Sequence, residues 1–569
     1  MTHHCISLLI LALMIVTNSS YAAAQDNDQP TCLATPSSAQ YAYHEQERIM
    51  FVHWSPATWQ GREYDNRSTP LSEINPSRLD TDQWCRIAKS WGAKQIIFVA
   101  KHAGGFCWWQ TETTDYSIKS TPWRNGKGDV LAEVAASCRK HNLNLGIYVY
   151  PGDENWGAPI GSGGKTKDPN KQKAYNKIFR QQLTEVLSKY GPITEVWFDG
   201  SCMIEVGDIL KKYTPNAAIF QGPYASIRWV GNEKGYLPYP SWSTLKNKEL
   251  KTGVATARHN DPDGDAWAPL EADTTLYDHF WFWSPEKTKK RKSIEHLMDI
   301  YYKSVGRGGV MLLNSTPDTT GRIPTDDEKH YKKLGDEIQR RFDKPIAETA
   351  GKGDTIELDL GTPTTINHAV IMEDYRHGER IRAYLMQGWS ENQWQELTHG
   401  ISVGRKRIDV FEPATVSKVR LRITKAAAKP LIRKLAVFNV TNVDITSLVA
   451  SVGNPRHNWK QCETWNTDIL KNIPGAWEID LTSYIPQAGQ YEVAFVKTGG
   501  KNDLEIVSAT LIEDGRKALP EMVTRLDQPN TFNVNRTGQI TPETRIALRV
   551  IVSTKNGADS KGIVRIRMR

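Results

Sequence analysis

The chain has 569 residues, 39% hydrophobic and 24% charged, which excludes wholesale disorder and, at about 150 residues per domain, a single compact unit. Its formal net charge of +8 is a thin surplus over that length: it does not mark a nucleic-acid binder, and it is compatible with an anionic glycan without implying one. Trp, at 19 residues, is the compositional excess; flat indole faces with one N–H donor suit sugar rings as well as ordinary cores.

Residues 1–24 read as a signal peptide. Ser7–Val16 is an apolar run too short to span a bilayer, and Ala22-Ala23-Ala24 supplies a small-residue cleavage site, although only His3 and His4 precede the run. No later segment approaches about 20 uninterrupted apolar residues, so an exported protein, periplasmic or secreted and without a membrane span, is expected. Seven Cys occur. Cys5 leaves with the signal, and the six others are widely spaced without a C-x-x-C or zinc-like pattern, so free buried thiols are expected for most.

From about 33 to 343 short apolar runs alternate with helix-like stretches. Candidate strands are 48–54, 95–100, 145–150, 194–199, 218–221 and 310–313, with helices over 80–90, 130–141 and 171–190. Near-continuous apolar strands separated by helices predict a parallel sheet covered on both faces. About 300 residues of this pattern without G-x-G-x-x-G after the first strand favours a (β/α)8 barrel over an open sheet. Fourteen of the Trp fall before residue 343, so the aromatic excess belongs to this unit. Period-2 alternation then begins: Ile356, Leu358 and Leu360, then Val419, Leu421 and Ile423, predict a β-sandwich over 346–441. Tyr491, Val493 and Phe495, with Ile546, Leu548 and Val550, predict a second sandwich over 445–569.

Working residues of such a barrel sit at the carboxyl ends of its strands. The first strand ends His53-Trp54. The second ends Lys101-His102, with Trp108-Trp109 shortly after. The third ends Tyr148-Val149-Tyr150, and the fourth Trp197-Phe198-Asp199-Gly200. Asp199 follows an apolar strand and precedes a Gly that frees the turn. A carboxylate there can attack an anomeric carbon, coordinate a metal, or cap the next helix. Glu233 lies in a loop containing glycine and aromatic residues after the next βα unit, where a mobile general acid or a merely solvated carboxylate would sit. Asp153, Glu154, Glu271 and Asp273 compete for the acid role, with Glu271 ranked second. The phosphate-loop-like GSGGKT (161–166) has Pro159 where the first Gly is required. The basic run Lys287–Lys292 reads as a solvated helix start, with an anionic subsite as the other reading.

At these residues the chain resembles the family 29 glycoside hydrolases, the α-L-fucosidases. The matching stretches are FVHW (51–54), AKHAGGFCWWQTETTDYSI (100–118), GIYVYP (146–151), EVWFDG (195–200), RWVGNEKG (228–235) and SVGRGGVMLLNSTPDTTGRI (304–323). The resemblance implies a retaining mechanism with Asp199 as nucleophile and Glu233 as general acid/base. It implies that His53 and His102 bind sugar hydroxyls, that Tyr150, Trp197 and Trp281 flank the ring and its C5 methyl, and that Trp54 and Trp109 belong to the substrate-binding set. RWVGNE is similar to the subgroup preferring α-1,3 and α-1,4 fucosyl branches. Where many relatives carry two adjacent His, this chain has His102-Ala103, so one sugar contact is absent or supplied elsewhere. Segment 346–441 resembles a discoidin-type (coagulation factor type C) sandwich, a module that can hold a structural calcium ion. No cofactor and no catalytic metal are expected. The expected partners are fucosylated glycans, not nucleic acid; an α-L-galactoside hydrolase and a non-catalytic carbohydrate-binding protein are the alternatives.

Overall fold

The computed structural model describes residues 33–452 and, beyond them, 460–466, 468, 476–485, 489–499, 504–517, 523–525, 530–536, 544–553 and 560–568. The expected signal segment lies outside the described residues. Among them, no helix is long and apolar enough to cross a membrane.

Eight strands form the first unit: β1 (Arg48–Val52), β2 (Gln95–Lys101), β3 (Asn144–Val149), β4 (Glu195–Trp197), β5 (Ala218–Phe220), β6 (Arg228–Trp229), β7 (Leu270–Thr275) and β8 (Val310–Ser315). Every paired neighbour is parallel, in the order β5-β4-β3-β2-β1-β8-β7-β6. A parallel bridge from Phe220 to Ile227 closes the ring between β5 and β6. The expected barrel is therefore present. Its strands are apolar on both faces because both are covered. Ile49, Phe51, Ile97, Val99 and Leu312 point into the interior, whereas Met50, Val52, Ile96, Phe98 and Met311 pack under the helices.

The helices start where capping chemistry starts them. Asp80, Asp129 and Asp168 each accept a backbone N–H ahead of α1 (Thr81–Ser90), α2 (Val130–His141) and α3 (Pro169–Lys189). One expectation fails. No helix separates β5 from β6; residues 221–227 join them directly. β6 is only two residues long, and 230–269 then makes an irregular excursion with one short ribbon, Thr244–Leu245 against Ala266–Trp267. Gly, Pro, Asn and Asp interrupt helical periodicity there. Arg228, 1% exposed, organises this segment instead: its guanidinium donates to the carbonyls of Ala268, Thr256, Trp242 and Thr244 and to Asn260 Oδ1.

The barrel is followed by a six-stranded antiparallel sheet. Its longest strands, Thr355–Glu373 and Arg407–Ala426, shift register near residues 359–368. Ile356 and Leu358 from one half share a core with Ile366, Ala369 and Ile371 from the other, giving the expected sandwich. Beyond helix Ile445–Val452, a five-stranded and a four-stranded antiparallel sheet close on Trp465, Ile479, Val493, Phe532 and Leu548. At the junction of barrel and first sandwich Glu47, just before β1, accepts from Tyr301 Oη (2.7 Å) and from both terminal nitrogens of Arg405 (3.1 Å), and pairs with Lys406. Cys85, Cys107, Cys138 and Cys202 are buried free thiols, and Cys462 is a half-buried one.

Candidate active site

A cavity of about 230 Å³ opens at the carboxyl rim of the barrel. It is small beside the roughly 300–1,000 Å³ pockets that take drug-sized ligands. Its walls are Phe51, Trp197, Phe220, Trp229, Trp281 and Phe282, and its polar groups come from His53, Glu63, Tyr64, His102, Asp199, Gln221, Glu233 and Asp273.

Asp199 follows β4 directly. Gly200 turns the chain at φ +68°, a left-handed conformation that favours glycine. Tyr148 Oη donates to Asp199 Oδ2 at 3.0 Å. Burial raises the Asp199 carboxyl to about 6; the nearby Glu233 charge pushes the same way, and the Tyr148 hydrogen bond opposes both.

Glu233 comes from the excursion after β6. Its Oε2 accepts Trp281 Nε1 at 3.1 Å and lies 3.4 Å from His279 Nδ1. Trp281 is held at three points: its N–H donates to Glu63 Oε1 (3.1 Å), its carbonyl accepts from Asn314 Nδ2 (2.8 Å), and its indole reaches Glu233. Asn314 Oδ1 in turn holds His53 Nδ1 at 2.8 Å. Burial lowers His53 well below the usual imidazole range and His102 to about 4, so both rings are neutral at pH 7 and serve as hydrogen-bonding groups rather than charges. Burial also lifts Glu63 to about 7. Asp273, buried and held by Trp229 Nε1 at 2.6 Å, is raised well above the carboxylate range, burial again acting first.

The structure brings Asp199, Glu233, His53, His102, Trp197 and Trp281 to one cavity. Three expected residues lie elsewhere. Trp54 is fully buried on the helix side of β1, stacked on Trp108 at 4.0 Å, and donates to the Asp318 carbonyl. Strand alternation sends it outward because His53 points inward. Trp109 is likewise buried, its indole donating to Glu185 Oε2 at 2.8 Å. Tyr150 stands behind His102, ring centroids 5.7 Å apart, and its hydroxyl accepts from Gly161 N–H at 2.8 Å. It shapes the rim rather than lining the cavity.

The competing carboxylates also separate. Asp153 is buried 3.7 Å from Lys101 Nζ, and Glu271 lies inside the barrel; Asp273 alone of that group lines the cavity. Ala103, where a second His was absent, is 2% exposed and packed in the barrel interior. The basic run is mostly committed: Arg291 pairs with Asp327, and Lys292 Nζ donates to the Thr275 and Tyr277 carbonyls. Sequence reasoning gave no role to Phe51, Glu63, Tyr64, Phe220, Gln221, Trp229 and Phe282, and named Tyr148 only as a strand end. Inward parity of β1 and β3 signals Phe51 and Tyr148; Glu63 and Tyr64 sit in an aperiodic loop with no such signal. Among the described residues no cluster of three or more His, Cys, Asp or Glu is placed to hold a metal ion.

An aromatic-walled, carboxyl-bearing pocket of this size at the rim of a parallel barrel suits glycoside hydrolysis. The chain belongs to the α-L-fucosidase family, whose sequence profile matches residues 18–341. It is 30% identical over 496 residues to alpha-L-fucosidase 1 of Arabidopsis thaliana, covering 77% of this chain and 95% of that protein. A putative α-L-fucosidase of Bacteroides thetaiotaomicron superposes with a TM-score of 0.68 at 33% identity, over 72% of this chain and 100% of its own. A glycoside hydrolase family 29 member from an unknown rumen bacterium covers 95% of this chain and 100% of its own, at TM-score 0.65 and 26% identity.

Proposed function

We propose that this protein is a retaining, exo-acting α-L-fucosidase, with Asp199 as nucleophile and Glu233 as general acid/base, that releases L-fucose from α-1,3- and α-1,4-branched glycans outside the cytoplasm. The observation that carries this is the meeting of Asp199 and Glu233 in one cavity sized for a single sugar ring. Asp199 Oδ attacks the anomeric carbon as the glycosidic C–O bond breaks, while Glu233 gives its proton to the departing oxygen. Glu233, now ionised, takes a proton from water. The resulting hydroxide equivalent displaces Asp199, and two inversions give net retention. Neutral His53 and His102, with Glu63, face the ring hydroxyls. Phe51, Phe220 and Phe282 offer the apolar wall that a C5 methyl needs and that penalises a C6 hydroxyl. Asp199 acts only when ionised, so kcat/KM is expected to fall as pH drops through a midpoint near 6. Tyr148→Phe removes the hydrogen bond that favours the carboxylate and should move that midpoint upward; a pH–rate profile on an aryl α-L-fucoside reads both.

The linkage reading stands on the RWVGNE segment, in which Arg228 fixes the excursion bearing Glu233. With a panel of defined oligosaccharides scored for free fucose, α-1,3/4 branches should outpace terminal α-1,2-linked fucose; the reverse order would refute the preference. Export stands on the apolar run 7–16 and the Ala22–Ala24 site. A mature amino terminus near Gln25 in extracellular or periplasmic material is its check.

A further inference from the structure

A barrel interior of this kind is usually filled by layers of branched apolar side chains. Here the lowest layer holds two carboxyl groups. Glu195 on β4 and Glu271 on β7 belong to strands that are not neighbours, and both are 0% exposed. Their carboxyl groups face each other across the interior, within reach of a shared proton. No lysine, arginine or histidine is hydrogen-bonded to either among the described residues.

The surrounding donors are unequally shared. Glu271 Oε1 accepts Trp197 Nε1 at 2.7 Å, and its Oε2 accepts Tyr43 Oη at 2.7 Å. Glu195 Oε2 accepts Gln95 Nε2 at 2.6 Å. The Gln95 amide is itself oriented, because its Oε1 receives Gln46 Nε2 (2.9 Å) and Thr194 Oγ1 (2.7 Å). Glu195 Oε1 is buried with no donor facing it. Two ionised carboxylates cannot touch in so dry a place without a cation, so one proton must lie between them. The donor count says where: Glu271, with two outside donors, is the carboxylate, and Glu195 Oε1 carries the proton and donates it. Burial raises both carboxyls, in keeping with this.

We propose that Glu195 and Glu271 are an acid–carboxylate pair sharing one proton, and that Glu271 is a positioning residue which, by holding Trp197 Nε1, sets the indole that walls the sugar cavity. Trp197 lies flat on Phe220, ring centroids 3.9 Å apart and 4° from parallel. It also stacks on Tyr148 at 5.3 Å, the residue whose hydroxyl holds Asp199. The hydrogen bond from below fixes the indole within its plane, which stacking leaves free. The inference uses the catalytic reading above only in naming what the cavity does.

Two isosteric variants separate the partners. In Glu195→Gln the amide N–H replaces the acid O–H toward Glu271, and its oxygen still accepts from Gln95. Its kcat/KM on an aryl α-L-fucoside should stay within about 3-fold of wild type, with an unchanged Tm. In Glu271→Gln a single amide oxygen faces two donors, and an N–H confronts the other; kcat/KM should fall by about 10-fold or more, with a lowered Tm. In a Trp197→Phe background, which removes one donor, the added loss from Glu271→Gln should shrink to about 2-fold, and folding should return if Glu271→Gln alone does not fold. Equal losses for the two glutamine variants, an unimpaired Glu271→Gln, or a loss unchanged in the Trp197→Phe background would overturn the proposal. A wild-type protein inactive on α-L-fucosides would overturn the catalytic reading instead, and the Tm contrast would still test the pair.

Discussion

Asp199→Ala is expected to cut turnover of aryl α-L-fucosides by about 10⁴-fold or more, because no covalent intermediate can form without the carboxylate. The cavity opened by the substitution faces the anomeric carbon, so added azide should restore activity and give β-L-fucosyl azide, the product of a single inversion. Nuclear magnetic resonance of the product reads the configuration. Near-wild-type hydrolysis by this variant, or a rescued product of α configuration, would sink the assignment.

Glu233→Ala should behave differently. Loss of the proton donor costs about 10²–10⁴-fold on substrates whose leaving group needs protonation. The first step with a strongly activated aryl leaving group should survive, and the fucosyl-enzyme should accumulate because water has lost its base. Azide here should give the retained α product, since it takes the place of water in the second displacement. A burst measured by rapid quench, with oligosaccharide and activated aryl substrates compared, checks both halves. Equal losses on both substrates would move the acid role to Glu63 or Asp273, the other carboxyls lining the cavity beside Asp199. Glu271, the sequence-level runner-up, cannot take it, because Glu271 is sealed inside the barrel.

What was legible in the sequence follows from what strands bury. β1 to β5 and β8 were visible because a parallel strand covered on both faces must be apolar throughout. β6 and β7 were not: β6 is an arginine and a tryptophan, and β7 reads LEADTT, its inward positions given to Glu271, Asp273 and Thr275. Chemistry replaced the pattern that announces a strand, as expected where function overrides local consistency. Position alone made Asp199, at a strand end, and Glu233, in a glycine-bracketed loop, candidates that a helix cap and a solvated carboxylate could equally explain; the family resemblance gave them their roles. The resemblance put Trp54 and Trp109 in the substrate-binding set, yet strand alternation turns Trp54 away from the interior that His53 faces. Glu63 could not be read, since it reaches the cavity through a distant partner, the backbone of Trp281, 218 residues on.

The seam at Glu47 ties the history of the barrel to its neighbour. This carboxylate stands one residue ahead of β1, and two of the cations that neutralise it, Arg405 and Lys406, come from the turn that leads into the strand Arg407–Ala426 of the adjoining sheet. A catalytic unit cut free at residue 343 would leave this buried acidic group, just ahead of the strand that leads to His53, with Arg48 at 3.8 Å as its remaining paired cation. The barrel thus relies on the neighbouring module to cover a carboxylate at the foot of its own first strand.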